Sequence, residues 1–283
     1  MLVKQTTNPK ASSIWANWAP QCANPACATK TFLQAFTRRQ RGLKIENLWY
    51  CTTECFQQVT KRKIEDLINS QGKPAKARTS RVPLGLLLLQ RGILTSEQLK
   101  AALDHQKLSG LDFGETVQHL GFATQEHVTA AVAAQWACPV FPVGDRPLSV
   151  QIRIPRKFLD LYGMLPVHYA EKERNLLVGF VRSVQPQLLY TIGHITSCTV
   201  APCFITAREY QLHLNSPSVS LLRDNELVFD QLVETAEMAR VTTNYAVQLA
   251  ADRVRLGICR DYLWVRIWGP KQEMDLLFRI RND

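Results

Sequence analysis

Between Pro83 and Trp136 apolar positions recur at three- and four-residue steps, and they do so twice. Displaced by twenty-nine residues, Gly85 falls on Gly114, Gly92 on Gly121, Thr95 on Thr124, Glu97 on Glu126, Ala101 and Ala102 on Ala130 and Ala131, and Gln106 on Gln135. Apolar character is kept at Leu84/Phe113, Leu88/Val117, Ile93/Phe122, Leu99/Val128 and Leu103/Val132. A period of this length marks a duplicated supersecondary unit. Each copy predicts a short helix, a glycine stop and a longer helix. Gly92 and Gly121 suit the left-handed position that ends a helix. Thr95 and Thr124 suit the next N-cap, with Glu97 and Glu126 against the positive end of its dipole. Leu99, Ala102, Leu103 and Gln106 predict one buried stripe, so two copies predict a small four-helix unit.

Beyond Cys138 the pattern changes. Pro155 to Tyr162 reads as a helix and Leu165–Tyr169 as a strand. Asn175–Val181 is apolar throughout, as a strand covered on both faces is. Gln187–Ile195 predicts a helix, Thr199–Ile205 a strand and Ala207–Leu214 a closing helix, before a linker at 215–220. A long helical stretch is expected from Leu221 to about Ala250. Three alternating segments follow, Val254/Leu256/Ile258, Leu263/Val265/Ile267 and Leu276/Phe278/Ile280, with turns at Arg260-Asp261 and Gly269-Pro270. They predict an antiparallel meander under the helix.

Ahead of the repeat, the cysteines decide the picture. Cys22-x4-Cys27 is followed twenty-three residues later by Cys51-x3-Cys55. Two close pairs supply the four thiolates that zinc takes tetrahedrally. The second pair opens an amphipathic helix over Phe56–Ile68, with Cys55, Val59, Lys63 and Leu67 on one stripe. A knuckle, a hairpin through Trp49-Tyr50 and a helix start resemble treble-clef zinc fingers. Four thiolates close the shell, so the expected zinc is structural. Cys138, Cys198, Cys203 and Cys259 are scattered and read as ordinary buried thiols. The six histidines have no metal-ligand spacing, and no Gly-x-Ser-x-Gly elbow or carboxylate pair asks for catalysis.

These boundaries give an α+β, multidomain chain: an irregular lead-in at 1–19, a four-cysteine zinc module at 20–70, a basic linker at 71–82, the repeat with its α/β part at 83–214, and a C-terminal helix with antiparallel strands at 221–283. The apolar share, 46%, supports a sizeable core. Residues 1–82 hold fourteen Lys and Arg against four Asp and Glu, and the rest hold twenty of each, so the whole +10 sits on the N-terminal third. Such a block suits an anionic partner (nucleic acid, a membrane surface or an acidic protein face) or a solvated basic arm. No run reaches a membrane-spanning length and the N-terminus has no export pattern, so the expected compartment is the cytoplasm.

Pro83-Leu84-Gly85…Leu88…Gly92…Leu99…Leu103…Gln106 and Asp112-Phe113-Gly114…Val117…Gly121…Val128…Val132…Gln135, followed by Ile154-Pro155 and Leu165-Pro166-Val167, resemble the N-terminal, MshEN-like domain of the type II secretion ATPase GspE and its pilus relatives. The resemblance covers about 130 residues, from the repeat to Leu214. It implies a bacterial chain and a cyclic di-GMP motif at Leu84, Gly85, Leu88, Gly92, Gln106, Phe113, Gly114, Val117, Gly121 and Gln135. The arginine that leads each family motif is here Pro83 and Asp112. Proline offers no cation and Asp112 repels an anion, so cyclic di-GMP is expected to bind weakly or not at all. The ATPase is missing too, since Gly-x4-Gly-Lys-Ser/Thr occurs nowhere. Ala251–Arg255 and Val265–Gly269 resemble only weakly the small domain that precedes that ATPase core. The expectation is a non-catalytic regulatory or adaptor protein that docks a protein partner, with secretion or pilus machinery as the family's candidate. Cyclic di-GMP reception and nucleic-acid binding through residues 1–82 are the alternatives.

Overall fold

The computed structural model describes residues 21–27, 42–70, 81–144, 148, 151–216, 219 and 225–281. The lead-in at 1–19, linker residues 71–80 and the start of the expected helix at Leu221 lie outside them. The chain divides into two compact units. One takes Met1–Asp66, Val233–Arg255 and Val265–Glu273; the other takes Leu67–Leu232, Leu256–Trp264 and Met274–Asp283.

In the first unit the hairpin β1 (Leu43–Ile45) and β2 (Leu48–Tyr50) feeds helix α1 (Thr53–Ser70). The α1 stripe is one residue later than the alternation of Cys55 and Lys63 predicted. Phe56, Val59, Thr60 and Ile64 are buried, while Cys55 turns to the other cysteines and Lys63 pairs with Glu46 at 2.7 Å. Tyr50 meets Phe56 edge-on at 6.2 Å beneath the hairpin. The hairpin turn is tied to the C-terminal part of this unit, the Glu46 amide donating to the Val254 carbonyl at 3.0 Å. Thr235, at the start of helix α9 (Thr235–Gln248), donates to Glu65.

In the second unit the duplicated helices are α2 (Leu84–Gln90) with α3 (Ser96–Ser109), and α4 (Phe113–His119) with α5 (Gln125–Gln135). Thr95 and Thr124 each close a capping box, and Gly92 and Gly121 sit at φ +68° and +70°. The copies cross reciprocally, α2 against α5 and α4 against α3. A Cβ on Gly85 would stand 2.6 Å from Leu99 and 3.0 Å from Phe113; one on Gly114 would stand 3.0 Å from Val128 and 3.7 Å from Leu84. The motif glycines therefore let helices approach closely. The expected buried stripe of α3 is thinner than predicted, because Ala102 is wholly buried and Leu103 is 43% exposed.

Helix α6 (Arg156–Tyr162) then leads into β3 (Met164–Ala170), β4 (Asn175–Phe180), α7 (Pro186–Thr196), β5 (Thr199–Phe204) and α8 (Ala207–Leu214). The sheet order is β3-β4-β5, antiparallel then parallel. Central β4 is the apolar run, and α5 lies against β5.

The C-terminal strands β6 (Glu226–Leu232), β7 (Arg253–Cys259), β8 (Tyr262–Trp268) and β9 (Glu273–Arg279) form a sheet ordered β6-β9-β8-β7. The long helix expected from Leu221 is corrected here: 226–232 is a strand parallel to β9, and the helix begins at Thr235. Phe229 stacks on Phe278 at 4.7 Å, a pairing across some fifty residues that no local period reveals. Glu226 adds a half-buried anchor, accepting the Arg156 and Lys157 amides at 2.6 and 3.1 Å as a cap on α6.

Candidate functional site

Cys22 and Cys27 lie on a knuckle held by Asn24. Its side chain accepts from the Ala26 amide at 3.1 Å and donates to Gln58 at 3.0 Å, and its carbonyl accepts from the Cys27 amide at 3.0 Å. The Ala23 amide donates to the Trp49 carbonyl at 2.9 Å and fixes the knuckle to β2. Cys51 ends the hairpin, and Thr52 caps α1 by accepting from the Cys55 amide at 3.2 Å. Asn24 is 3% exposed and went unnoticed in the sequence; only its place between two cysteines, two residues before Ala26, signals an Asx turn.

The four sulfurs lie within 4.8 Å of one another, with Cys27–Cys51 at 3.5 Å and Cys51–Cys55 at 3.9 Å. A zinc–sulfur bond of about 2.3 Å sets tetrahedral sulfur–sulfur edges of about 3.8 Å, so the four thiolates fit that ion. The Cys51 amide points at the Cys22 sulfur at 3.5 Å, a donor suited to a thiolate. Burial pushes the Cys22 thiol up to about 12 and raises Cys55 as well. A bound divalent cation would displace those protons, so affinity should fall as pH falls. Among the described residues no histidine or carboxylate joins the cluster, and four thiolates would close the shell of a bound ion. The scattered cysteines are free; Cys198, Cys203 and Cys259 are buried and Cys138 half-buried.

The second candidate site is the repeat motif. A groove of about 430 Å³ brings together Leu84, Phe113, Gly114 and Gln135 with Val128, Val132 and Arg182. Gly85, Leu88, Gly92, Gln106, Val117 and Gly121 are not among its lining residues: Leu88 and Val117 are fully buried, Gly85 seats Leu99, and Gly92 and Gly121 end helices. Gln135 donates to the Val82 carbonyl at 2.6 Å. Pro83 precedes α2 without a side-chain cap. Asp112 caps α4 by accepting from the Glu115 amide at 2.8 Å. The residue that local sequence did not expose is Arg182, just after β4. Its guanidinium lies 3.5 Å from Asp112 and pairs closely with Glu115. Arg81 does not enter the groove lining; it stacks over Trp136 with its guanidinium carbon 3.2 Å from the ring centre.

The basic block also changes in the structure. Within the described residues of the cysteine module, Lys44, Lys61, Arg62 and Lys63 are matched by Glu46, Glu54, Glu65 and Asp66. Of the remaining ten cationic residues of 1–82, nine fall in 1–20, 28–41 and 71–80, outside the described residues, and the tenth is Arg81. The surface proposed for nucleic acid thus lies mainly outside the described core. His105 and His119 meet edge-on at 5.7 Å, yet among the described residues no third ligand joins them. No helix of the described residues is long and apolar enough to cross a membrane.

Fold and site together define a class: a four-cysteine cluster whose geometry fits a metal ion, on a chain that also carries a duplicated helical unit with a three-stranded α/β part. No family model matches the chain, and no curated protein does. Among solved structures, about half of the chain is similar to MshE, in a structure described as "with cdg", at 20% identity over 48% of this chain and 98% of that one, with a TM-score of 0.40. It is also similar to the N-terminal domain of XpsE in two crystal forms. One is 15% identical over 46% of this chain and 90% of that one, at a TM-score of 0.36; the other is 18% identical over 51% and 97%, at 0.29. None reaches a TM-score of one half, so the chemistry of the groove rests on this chain's own residues.

Proposed function

We propose that the chain is a non-catalytic regulatory or adaptor protein of the bacterial cytoplasm, docking a protein partner through an MshEN-like domain and stiffened by one structural zinc. The observation that carries this reading is the fate of the motif position Asp112. It caps a helix and lies 3.5 Å from Arg182, so the motif position is an acid where an anionic dinucleotide needs a cation, and the Arg182 guanidinium beside it is already engaged by Asp112 and Glu115. The missing phosphate loop supports the absence of ATP chemistry. A partner from secretion or pilus machinery is the family's own kind of partner and follows from the repeat pattern alone.

Cross-linking of the tagged full chain in its native host, read by mass spectrometry, should give partner cross-links within residues 83–214. Cross-links confined to nucleic acid would defeat the adaptor reading, and ATP turnover that follows the purified chain would defeat the non-catalytic one. Metal analysis should return about one zinc per chain, and Cys51→Ser should unfold the cysteine module, because metal binding and folding are coupled in such sites. Metal-free protein with that module intact would remove the zinc.

A further inference from the structure

Helix α3 of the first repeat copy carries an outward face that nothing in the described chain covers. Ala102 is fully buried, so at about 100° per residue the opposite face holds Ser96, Glu97, Lys100, Ala101, Leu103, Asp104, Lys107 and Leu108. Leu103 is 43% and Leu108 91% exposed. In the second copy three of the equivalent positions are filled for burial. Thr129 stands for Lys100, Val132 for Leu103 and Ala133 for Asp104; all three are buried, and their helix lies against β5.

The charges on the open face have an order of their own: Glu97 negative, Lys100 positive, Asp104 negative, Lys107 positive. Reflected through Ala102, each position meets one of opposite sign. An antiparallel pairing of α3 with itself, about a two-fold axis opposite Ala102, sets Lys100 against Asp104 of the second copy and Glu97 against Lys107 of the second copy. The same operation brings Leu103 alongside Leu103 of the second copy on one flank of the contact, and Leu108 alongside Glu97 and Ala101 of the second copy on the other. A parallel pairing in register would set like against like at every level.

We infer that this face is a homodimer interface, taking a second copy of the chain through an antiparallel α3–α3 contact. The occupant follows from charge complementarity under two-fold symmetry, which an isologous interface requires. Burial of Leu103 and Leu108 supplies the attraction, while the ion pairs set direction, since exposed pairs contribute little by themselves. Lys107 already lies 3.0 Å from Asp104 within its own helix, so dimerisation extends an existing charge ladder.

Sedimentation of the full chain across about 1 to 100 µM should show a monomer–dimer equilibrium. The variant Leu103→Glu with Leu108→Glu should weaken it by about a hundredfold or more without lowering the melting temperature, because both positions are exposed. Lys100→Glu should weaken it about tenfold, and Lys100→Glu with Asp104→Lys should restore it. That pair is mid-helix, so exchanging it leaves the helix dipole undisturbed. A monomer throughout the range overturns the inference. So does a dimer indifferent to the leucine variant, or one that the charge exchange fails to restore.

Discussion

Leu103 and Val132 stand twenty-nine residues apart at the same place in α3 and α5, yet Leu103 is 43% exposed and Val132 only 7%. The two copies share capping boxes, stop glycines and reciprocal glycine crossings, although α3 runs three residues further than α5 and ends on left-handed Gly110. They differ in what lies outside them. The second copy backs onto β5 and, at its groove, onto Val181, Arg182 and Ala207, and its outer positions are Thr, Val and Ala. In the first copy the outer positions are charged with leucine at the margin. Duplication fixes how the copies hold each other, and the surfaces are then set separately by what each must meet. The lesson extends to the motif positions: Asp112 serves the second copy as a cap and as Arg182's partner, while Pro83 simply opens the first.

The largest effect should come from charging the matched pair. Val132→Asp buries an unpaired carboxylate and should cost about 3 kcal/mol or more in denaturant unfolding, whereas Leu103→Asp should cost about 1 kcal/mol or less. Equal costs would break the contrast. Gly92→Ala and Gly121→Ala probe what the copies share; with φ near +70° in both, each should lose about 1 kcal/mol, and a large inequality would contradict a common backbone. Arg182→Ala removes an ion pair with a side chain 67% exposed, so the loss should be about 0.5 kcal/mol or less.

The smallest effect is a pH dependence confined to the second copy's side. Glu209 in α8 accepts the Val143 and Gly144 amides at 2.8 and 3.2 Å, just past α5. Burial raises its carboxyl, but these bonds and those from Thr206 outweigh burial and hold it below the ordinary range. A depressed folded-state value means the contribution is present above the unfolded value and is lost as pH falls through the folded one. Glu209→Gln should therefore flatten the acid limb of the stability curve, and an unchanged limb would remove this anchor.

Local chemistry made most of this legible. The capping threonines, the stop glycines, the apolar β4 run and the paired cysteines all act over a few residues, and a few residues of sequence carry them. Asn24 and Arg182 were not legible because their roles are defined by partners far along the chain: Gln58 for the first, Asp112 and Glu115 for the second. Strand β6 was missed for the same reason, its identity resting on β9. Exposure of Leu103 was hidden by the repeat itself, which spaces it like its buried twin.

We propose that this repeat serves as a scaffold, with Asp112 standing where the motif resemblance implies a cation. Calorimetric titration of the full chain with cyclic di-GMP tests it most directly. Two missing cationic contacts, each contributing about 1.5–3 kcal/mol, predict no binding at micromolar concentrations and some recovery with Pro83→Arg plus Asp112→Arg. Micromolar binding by the unaltered chain would contradict the account and make the groove a receptor site.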